Sequence, residues 1–268
     1  MTAWAWTPAT PTRRPHVMLV VFSRGPLADD VPMSMARFGV PRAALIGEVE
    51  VHAIPRDADA AWFDGWRTGS LRTIAADDLG AELGSLDGAD HLHLIIAQPD
   101  APADLGYLQT TWALARWMVA RGATVVLDVH AHRYWRGAAI SVAEAPLDPA
   151  RELRVVFETD STRTDRAHAL HTRGLRKFGA PDLVALCGQD DAELVGTVMS
   201  QLADAVARGA ELGPRHGLDL TSAETWWVVD DRDGLADLLQ LNNRARIIVG
   251  DRGQHLVGAA ARLGAGVE

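Results

Sequence analysis

Residues 91–135 read HLHLIIAQPDAPADLGYLQTTWALARWMVARGATVVLDVHAHRYW. HLHLIIA (91–97) is a short apolar run halted by the turn-forming QPDAP, which predicts a strand. Asp104 can cap a helix that runs to about Arg121 and places Leu108, Trp112, Ala115 and Val119 on one side. Gly122 closes that helix, and TVVLDVHA (124–131) predicts a second strand. A helix between two strands predicts a parallel pair joined by a right-handed crossover. The stretch is thus one α/β unit.

Working outward, HVMLVVFS (16–23) and AALIGEVEVHAI (43–54) read as strands, with a short helix at PMSMARFG (32–39) that Gly39 ends and Pro41 cannot prolong. DADAAWFDGWRTG (57–69) predicts a helix capped by Asp57; residues 70–89 give no clear signal. Downstream, strands are predicted at LRVVFETD (153–160), DLVALC (182–187), TWWVVD (225–230) and ARIIVGD (245–251). Helices are predicted at RAHALHTRGLRKFG (166–179), after an Asp190–Glu193 capping box as far as about Arg208, and at GLADLLQL (234–241). Residues 1–15 are rich in Pro and Thr and are expected to be flexible. The connector 136–151 marks the boundary between a first half (16–150) and a second (151–268).

Two echoes link the halves. VVF (20–22) followed by MARFGVPRAALIG (35–47) returns as VVF (155–157) followed by LRKFGAPDLVALCG (175–188). VARGA closes a long amphipathic helix at 119–123 and again at 206–210. The expected fold class is α/β or α+β: two similar halves, each a small mixed sheet with flanking helices, with internal duplication.

The second-half copy, HTRGLRKFGAPDLVAL, resembles the signature of a family of bacterial domains of unknown function found beside toxin-immunity-type proteins. Thr172, Gly174, Leu175, Phe178, Gly179, Pro181, Asp182 and Leu183 carry the resemblance, over about a dozen residues. The first-half copy departs from it, with Ser34 in place of the glycine and Arg42 in place of the acid. The resemblance implies an immunity-like setting and no catalytic residues.

Chemistry concentrates at LDVHAHRYW (127–135). On a strand, Asp128, His130 and His132 alternate onto one face. A carboxylate with two imidazoles suits a divalent metal, or an acid–base pair. Gln98 and Asp100 end the neighbouring strand at the same, carboxyl, rim, where open α/β sheets place ligands; Glu158 and Asp160 would join only if the halves shared a sheet. The plain alternative is a strand end with solvated polar groups. His91 and His93 begin their strand, so a crossover sets them about 15–20 Å from His130 and His132. Four imidazoles cannot then share one metal. His168 and His171, at i and i+3 of the predicted helix, stand among Arg166, Arg173, Arg176 and Lys177, which would repel a metal and read as a solvated basic face. Cys187 reads as an inert thiol.

Composition narrows the classes. The chain has 268 residues, 48% hydrophobic and 23% charged, with a net charge of −9. The acidic balance argues against binding a phosphate backbone and suits a basic protein partner. A single cysteine rules out an intrachain disulfide or a thiolate zinc site. The opening MTAWAWTPATPTRRPH has no apolar core of signal-peptide length, and no stretch approaches the ~18 apolar residues of a membrane span, so no membrane association and a cytoplasmic setting are expected. Walker, GxGxxG, GxSxG and HExxH signatures are missing. The first expectation is therefore a non-catalytic binding or regulatory, immunity-like protein. The alternative is a metal-dependent or acid–base enzyme, such as a hydrolase, with Asp128, His130 and His132 as ligands or proton carriers and Asp100 assisting.

Overall fold

The computed structural model describes residues 13–28, 30–41, 49–140, 148–158, 168–213, 217–221, 224–232 and 234–249. It is an α+β protein whose chain divides between Asp148 and Pro149 into two compact units, each a sheet with flanking helices.

The first unit runs β1 (Val17–Ser23), α1 (Met35–Phe38), β2 (Val49–Pro55), α2 (Ala60–Gly65), α3 (Gly69–Leu79), α4 (Leu83–Asp87), β3 (His91–Ala97), α5 (Gly106–Ala120), β4 (Ala123–Asp128), β5 (Arg133–Arg136) and α6 (Gly137–Ile140). Its strand order is β2-β3-β1-β4-β5, antiparallel throughout. β3 and β4 do run the same way on either side of the α5 connection, but β1 lies between them, antiparallel to both. Alternation gives the sheet two apolar faces. Val20, Phe22, Leu92, Leu94, Val125, Leu127 and Tyr134 pack on Phe63, Leu79 and Leu86 of α2, α3 and α4. Leu19, Val21, Ile95 and Val126, equally buried, lie on the opposite face, which carries α5. Trp135 meets Trp112 of α5 edge to face at 6.3 Å. Each fully buried large side chain contributes about 1.5–3 kcal/mol, so the two-sided burial is the main hold on this sheet. The outer side of α5 is clasped by the segment before it in sequence: Arg116 donates to the carbonyl of Phe38 at 2.8 Å, and the Trp117 indole to that of Val31 at 2.8 Å.

Caps explain the helix starts. Asp104 Oδ1 accepts from the Gly106 amide at 2.8 Å. For α2 it is Asp59, not Asp57, that accepts from the Trp62 amide, at 3.0 Å. The segment without a clear sequence signal becomes α3 and α4, whose buried residues Ala75, Leu79 and Leu86 join the first core.

The second unit runs α7 (Pro149–Glu152), β6 (Arg154–Glu158), β7 (His168–Arg173), β8 (Asp182–Cys187), α8 (Ala192–Ala207), β9 (Gly217–Thr221), β10 (Glu224–Asp230), α9 (Leu235–Leu238) and β11 (Ala245–Val249). The order is β6-β7-β8-β11-β10-β9, antiparallel except for the parallel β8–β11 pair. α8 packs on β6, β7 and β8; Leu235 and Ala236 of α9 share a core with Val184, Ala245 and Ile247. The Asp190–Glu193 capping box does not form: Gln189–Asp191 make a 3-10 turn, and Asp191 precedes α8 without a side-chain cap.

Both sequence echoes have a geometric counterpart. Gly39 and Gly179 end their turns in the left-handed region at φ 80° and 71°, each after a buried Phe. Gly122 and Gly209 close the two long helices at φ 108° and 101°. The punctuation recurs while the strand orders differ. Among the described residues no helix is long and apolar enough to cross a membrane.

Candidate functional site

The first candidate site is the rim where β1 begins and β3 and β4 end. β4 stops at Asp128, opposite Leu19 of β1. The fully buried Asp128 carboxylate turns back on its own chain, and its Oδ1 accepts from the amides of His130 and Ala131, each at 3.0 Å. That Asx turn ends the strand, and His132 completes the reversal in the left-handed region at φ 47°. Asp128, His130 and His132 therefore do not alternate along one strand face. A short acidic side chain at a strand end competes for the backbone amides that follow it, and here it wins.

His130, buried beneath the turn, meets His16 just before β1: His16 Nδ1 lies 2.6 Å from His130 Nε2, with the rings nearly perpendicular. One imidazole donates and the other accepts, so the pair can share a proton or present nitrogens to a small ligand. His16 carries no motif. The signal available was its place before an apolar strand, which the β1–β4 pairing sets opposite the end of β4. Asp100 stands at the same rim, 85% exposed on its side chain, in an ion pair with Arg14 at 2.8 Å; Arg14 also donates to the Gln98 carbonyl at 2.7 Å. Val17 pairs with Ala97, and that register brings Arg14 to Gln98 and Asp100.

His91 and His93 lie at the far end of β3, opposite Ser23 and Val21. Burial, helped by the charges of His91 and Arg121, pushes the His93 imidazole down to about 4, so it is neutral at ordinary pH. His91 Nδ1 and His93 Nε2 are buried with no hydrogen-bond partner among the described residues. The two histidine pairs occupy opposite rims of the sheet. Among the described residues no group of three or more His, Cys, Asp or Glu side chains is placed to hold a metal ion.

The second candidate is the HTRGLRKFGAPD turn, and here the expected helix over 166–179 is corrected. His168–Arg173 is a wholly buried strand, followed by a 3-10 turn at Leu175–Phe178. β6 and β8 hold residues 168–173 as a strand from both sides, and Gly174 turns the chain at a φ of 110° where a Cβ would meet the Glu152 carbonyl, so only glycine fits. On a strand, His168 and His171 point to opposite faces, so they form no i, i+3 pair. His171 bonds Glu158 Oε1 at 3.1 Å and thereby holds that carboxylate below its usual range, while His168 packs beside Phe157. Asp160 and Arg166 fall outside the described residues. Glu158 belongs to the second sheet, so it does not join the first unit's rim through a shared one.

The basic cluster is not a solvated face. Lys177 is fully buried, and its ammonium lies 2.6 Å from Glu152 Oε2; Arg173 is buried as well. At the centre sits Asp182. Its Oδ1 accepts from the Thr172 hydroxyl at 3.0 Å and the Leu175 amide at 3.3 Å, and its Oδ2 from Asn243 Nδ2 at 2.9 Å. Burial outweighs those donors and raises the carboxyl to about 6. The Cys187 thiol, pushed up to about 11 by burial and Asp191, is a poor nucleophile at neutral pH.

Comparison of the chain with protein families, with curated proteins and with solved structures finds no match.

Proposed function

We propose that the protein is a non-catalytic binding protein of the immunity-like, regulatory kind, and that the α2–α4 layer of its first unit receives a basic protein partner. The observation that carries this is the placement of charge. Residues 57–90 hold eight acids (Asp57, Asp59, Asp64, Asp77, Asp78, Glu82, Asp87 and Asp90) against Arg67 and Arg72, a net −6 of the chain's −9. Asp57, Asp59, Asp77, Glu82, Asp87 and Asp90 are exposed. On the same layer Trp62 is 37% exposed and edge-on to Trp66 at 5.7 Å. A partly exposed large aromatic on an acidic layer is the composition of an interface anchor, with the charge steering a partner of opposite sign. The buried Asp128 holds backbone amides, Lys177 pairs with Glu152, and Asp182 accepts from Thr172, Leu175 and Asn243, which further supports a role without turnover. The resemblance of the Phe-Gly-Ala-Pro-Asp turn to domains found beside immunity-type proteins points the same way.

A second reading, an acid–base or metal-assisted enzyme, rests on the His16–His130 contact. One experiment separates the two. Wild type, Trp62→Ala/Asp77→Lys and His130→Ala are tagged in the native host and isolated with whatever they bind, and each is assayed for hydrolase turnover. The proposal expects a stoichiometric basic protein that is lost, about tenfold or more, from the Trp62→Ala/Asp77→Lys variant and kept by His130→Ala. No stoichiometric partner, together with turnover that His130→Ala abolishes, overturns it in favour of the enzyme.

A further inference from the structure

β2 is an edge of the first sheet, and among the described residues no strand pairs with its outer side. Its seven residues, VEVHAIP, pair with β3 one to one from Val49↔Ala97 to Pro55↔His91 with no bulge. Glu50, Val51, His52 and Ala53 are all exposed, and Val51 is 45% exposed although it pairs with the fully buried Ile95. Natural edge strands are blunted by brevity, by Lys, by bulges or by internal Pro. The opposite edge, β5, is so protected: four residues long, with Arg133 and Arg136 at its ends and its Tyr134 buried toward α3. β2 has no Lys, no bulge and no Pro before Pro55, and its one acidic side chain is Glu50.

The sequence of the edge is self-complementary. If two copies of β2 pair antiparallel with Val51 on the two-fold axis, Val49 faces Ala53, Glu50 faces His52, and Val51 faces Val51. Over residues 49–53 each opposed pair is then apolar with apolar or acid with imidazole, the pairings that stabilise adjacent strands. The two kinds also fall on separate faces. Val49, Val51 and Ala53 lie on the α5 side. Glu50 and His52 lie on the other, where within one chain His52 Nε2 is already 3.2 Å from Glu50 Oε2. A one-residue slip would oppose Glu50 to Val51 and lose both sets of matches.

We propose that the first unit self-associates through β2, in an isologous antiparallel pairing centred on Val51, which joins two five-stranded sheets into one. On the polar face the carboxylates of Glu50 and the imidazoles of His52 from the two copies alternate around the axis. A strand of this length buries little area, so the dimer is weak and depends on concentration.

Cysteine pairing tests both the dimer and its register, in a Cys187→Ser background. Directly opposite strand residues have Cα atoms about 4.5–5.5 Å apart, within disulfide reach, whereas diagonal neighbours at about 7–8 Å are not. Val51→Cys should therefore cross-link with itself on mild oxidation. Glu50→Cys alone and His52→Cys alone should not, while their equimolar mixture should. In sedimentation, the wild type should move from monomer toward dimer mass at submillimolar concentration. Val51→Lys, which sets two like charges face to face, should stay monomeric with an unchanged circular dichroism spectrum. A wild type that remains monomeric, a dimer that Val51→Lys leaves intact, or self-linking by Glu50→Cys as fast as by Val51→Cys overturns the proposal.

Discussion

Replacing Asp182 by Asn tests whether a buried carboxylate organises the second unit. The raised acidity constant sets the sign. Between the usual 3.8 and about 6, the folded protein holds a proton on Asp182 that the unfolded chain has released. The wild type therefore loses stability through this group as pH rises across that window, and the loss is complete above it. The difference corresponds to about 3 kcal/mol. Asn removes the titration but brings its own penalty. Its oxygen can still accept from Thr172 and Leu175, but its NH2 then faces the Asn243 amide that now donates to Oδ2. Two opposed donors in a buried site cost about 1–3 kcal/mol. Urea unfolding of wild type and Asp182→Asn at steps from pH 4 to pH 7 isolates the effect, because every other titrating group cancels in the difference. The variant should be clearly less stable than wild type at pH 4, and the gap should shrink by about 3 kcal/mol, closing or reversing by pH 7. A gap that stays constant with pH would mean that Asp182 is ionised throughout and that its hydrogen bonds outweigh its burial.

Two further substitutions probe the same turn. Gly174→Ala would force a Cβ against the Glu152 carbonyl at a φ of 110°, so it should cost at least about 2 kcal/mol, read as a lower midpoint for the second unit. Lys177→Met removes the ammonium beside the buried Glu152 carboxylate and should cost about 3–5 kcal/mol, whereas the double change with Glu152→Met should recover most of it, a coupling that a double-mutant cycle in urea measures.

How much of this was legible in the sequence depended on which force decided each segment. HVMLVVFS, HLHLIIA and DLVALC were readable as strands because both their faces are covered, and burial alone writes a continuous apolar run. The helices between them were readable from Asp104, Gly122 and Gly209, whose local chemistry fixes where a helix starts or stops. RAHALHTRGLRKFG misled because its spacing of His, Leu and basic residues also suits a helix. What settles it is pairing with β6 and β8, strands that lie outside the segment itself. In residues 70–89 the spacing of Leu71, Ile74, Ala75 and Leu79 does suit α3, whereas Gly80, Gly84 and Gly88 cut α4 to a piece too short to register. The rim showed both limits at once. That Asp128 and the histidines near it stand at one end of the sheet follows from strand direction. That Asp128 would capture the amides of His130 and Ala131, and that His16 would meet His130, depends on where β1 stops β4 and on a pairing 114 residues apart.

The residues of the Phe-Gly-x-Pro turn bear on what its resemblance can mean. The Thr172 hydroxyl donates to Asp182 and accepts from the Leu183 amide at 2.8 Å, which ties β7 to the start of β8. Gly174 and Gly179 take backbone angles that side chains rarely adopt, Lys177 is spent on Glu152, and Asp182 receives three donors. Each of these residues is thus accounted for by the folding of one turn between two strands, and the carboxylate at its centre is wholly enclosed. A domain that shares the pattern would share this turn and the sheet it closes. Any chemistry or partner would have to be read from surfaces the pattern does not reach, such as the acidic α2–α4 layer, the His16–His130 rim and the edge of β2.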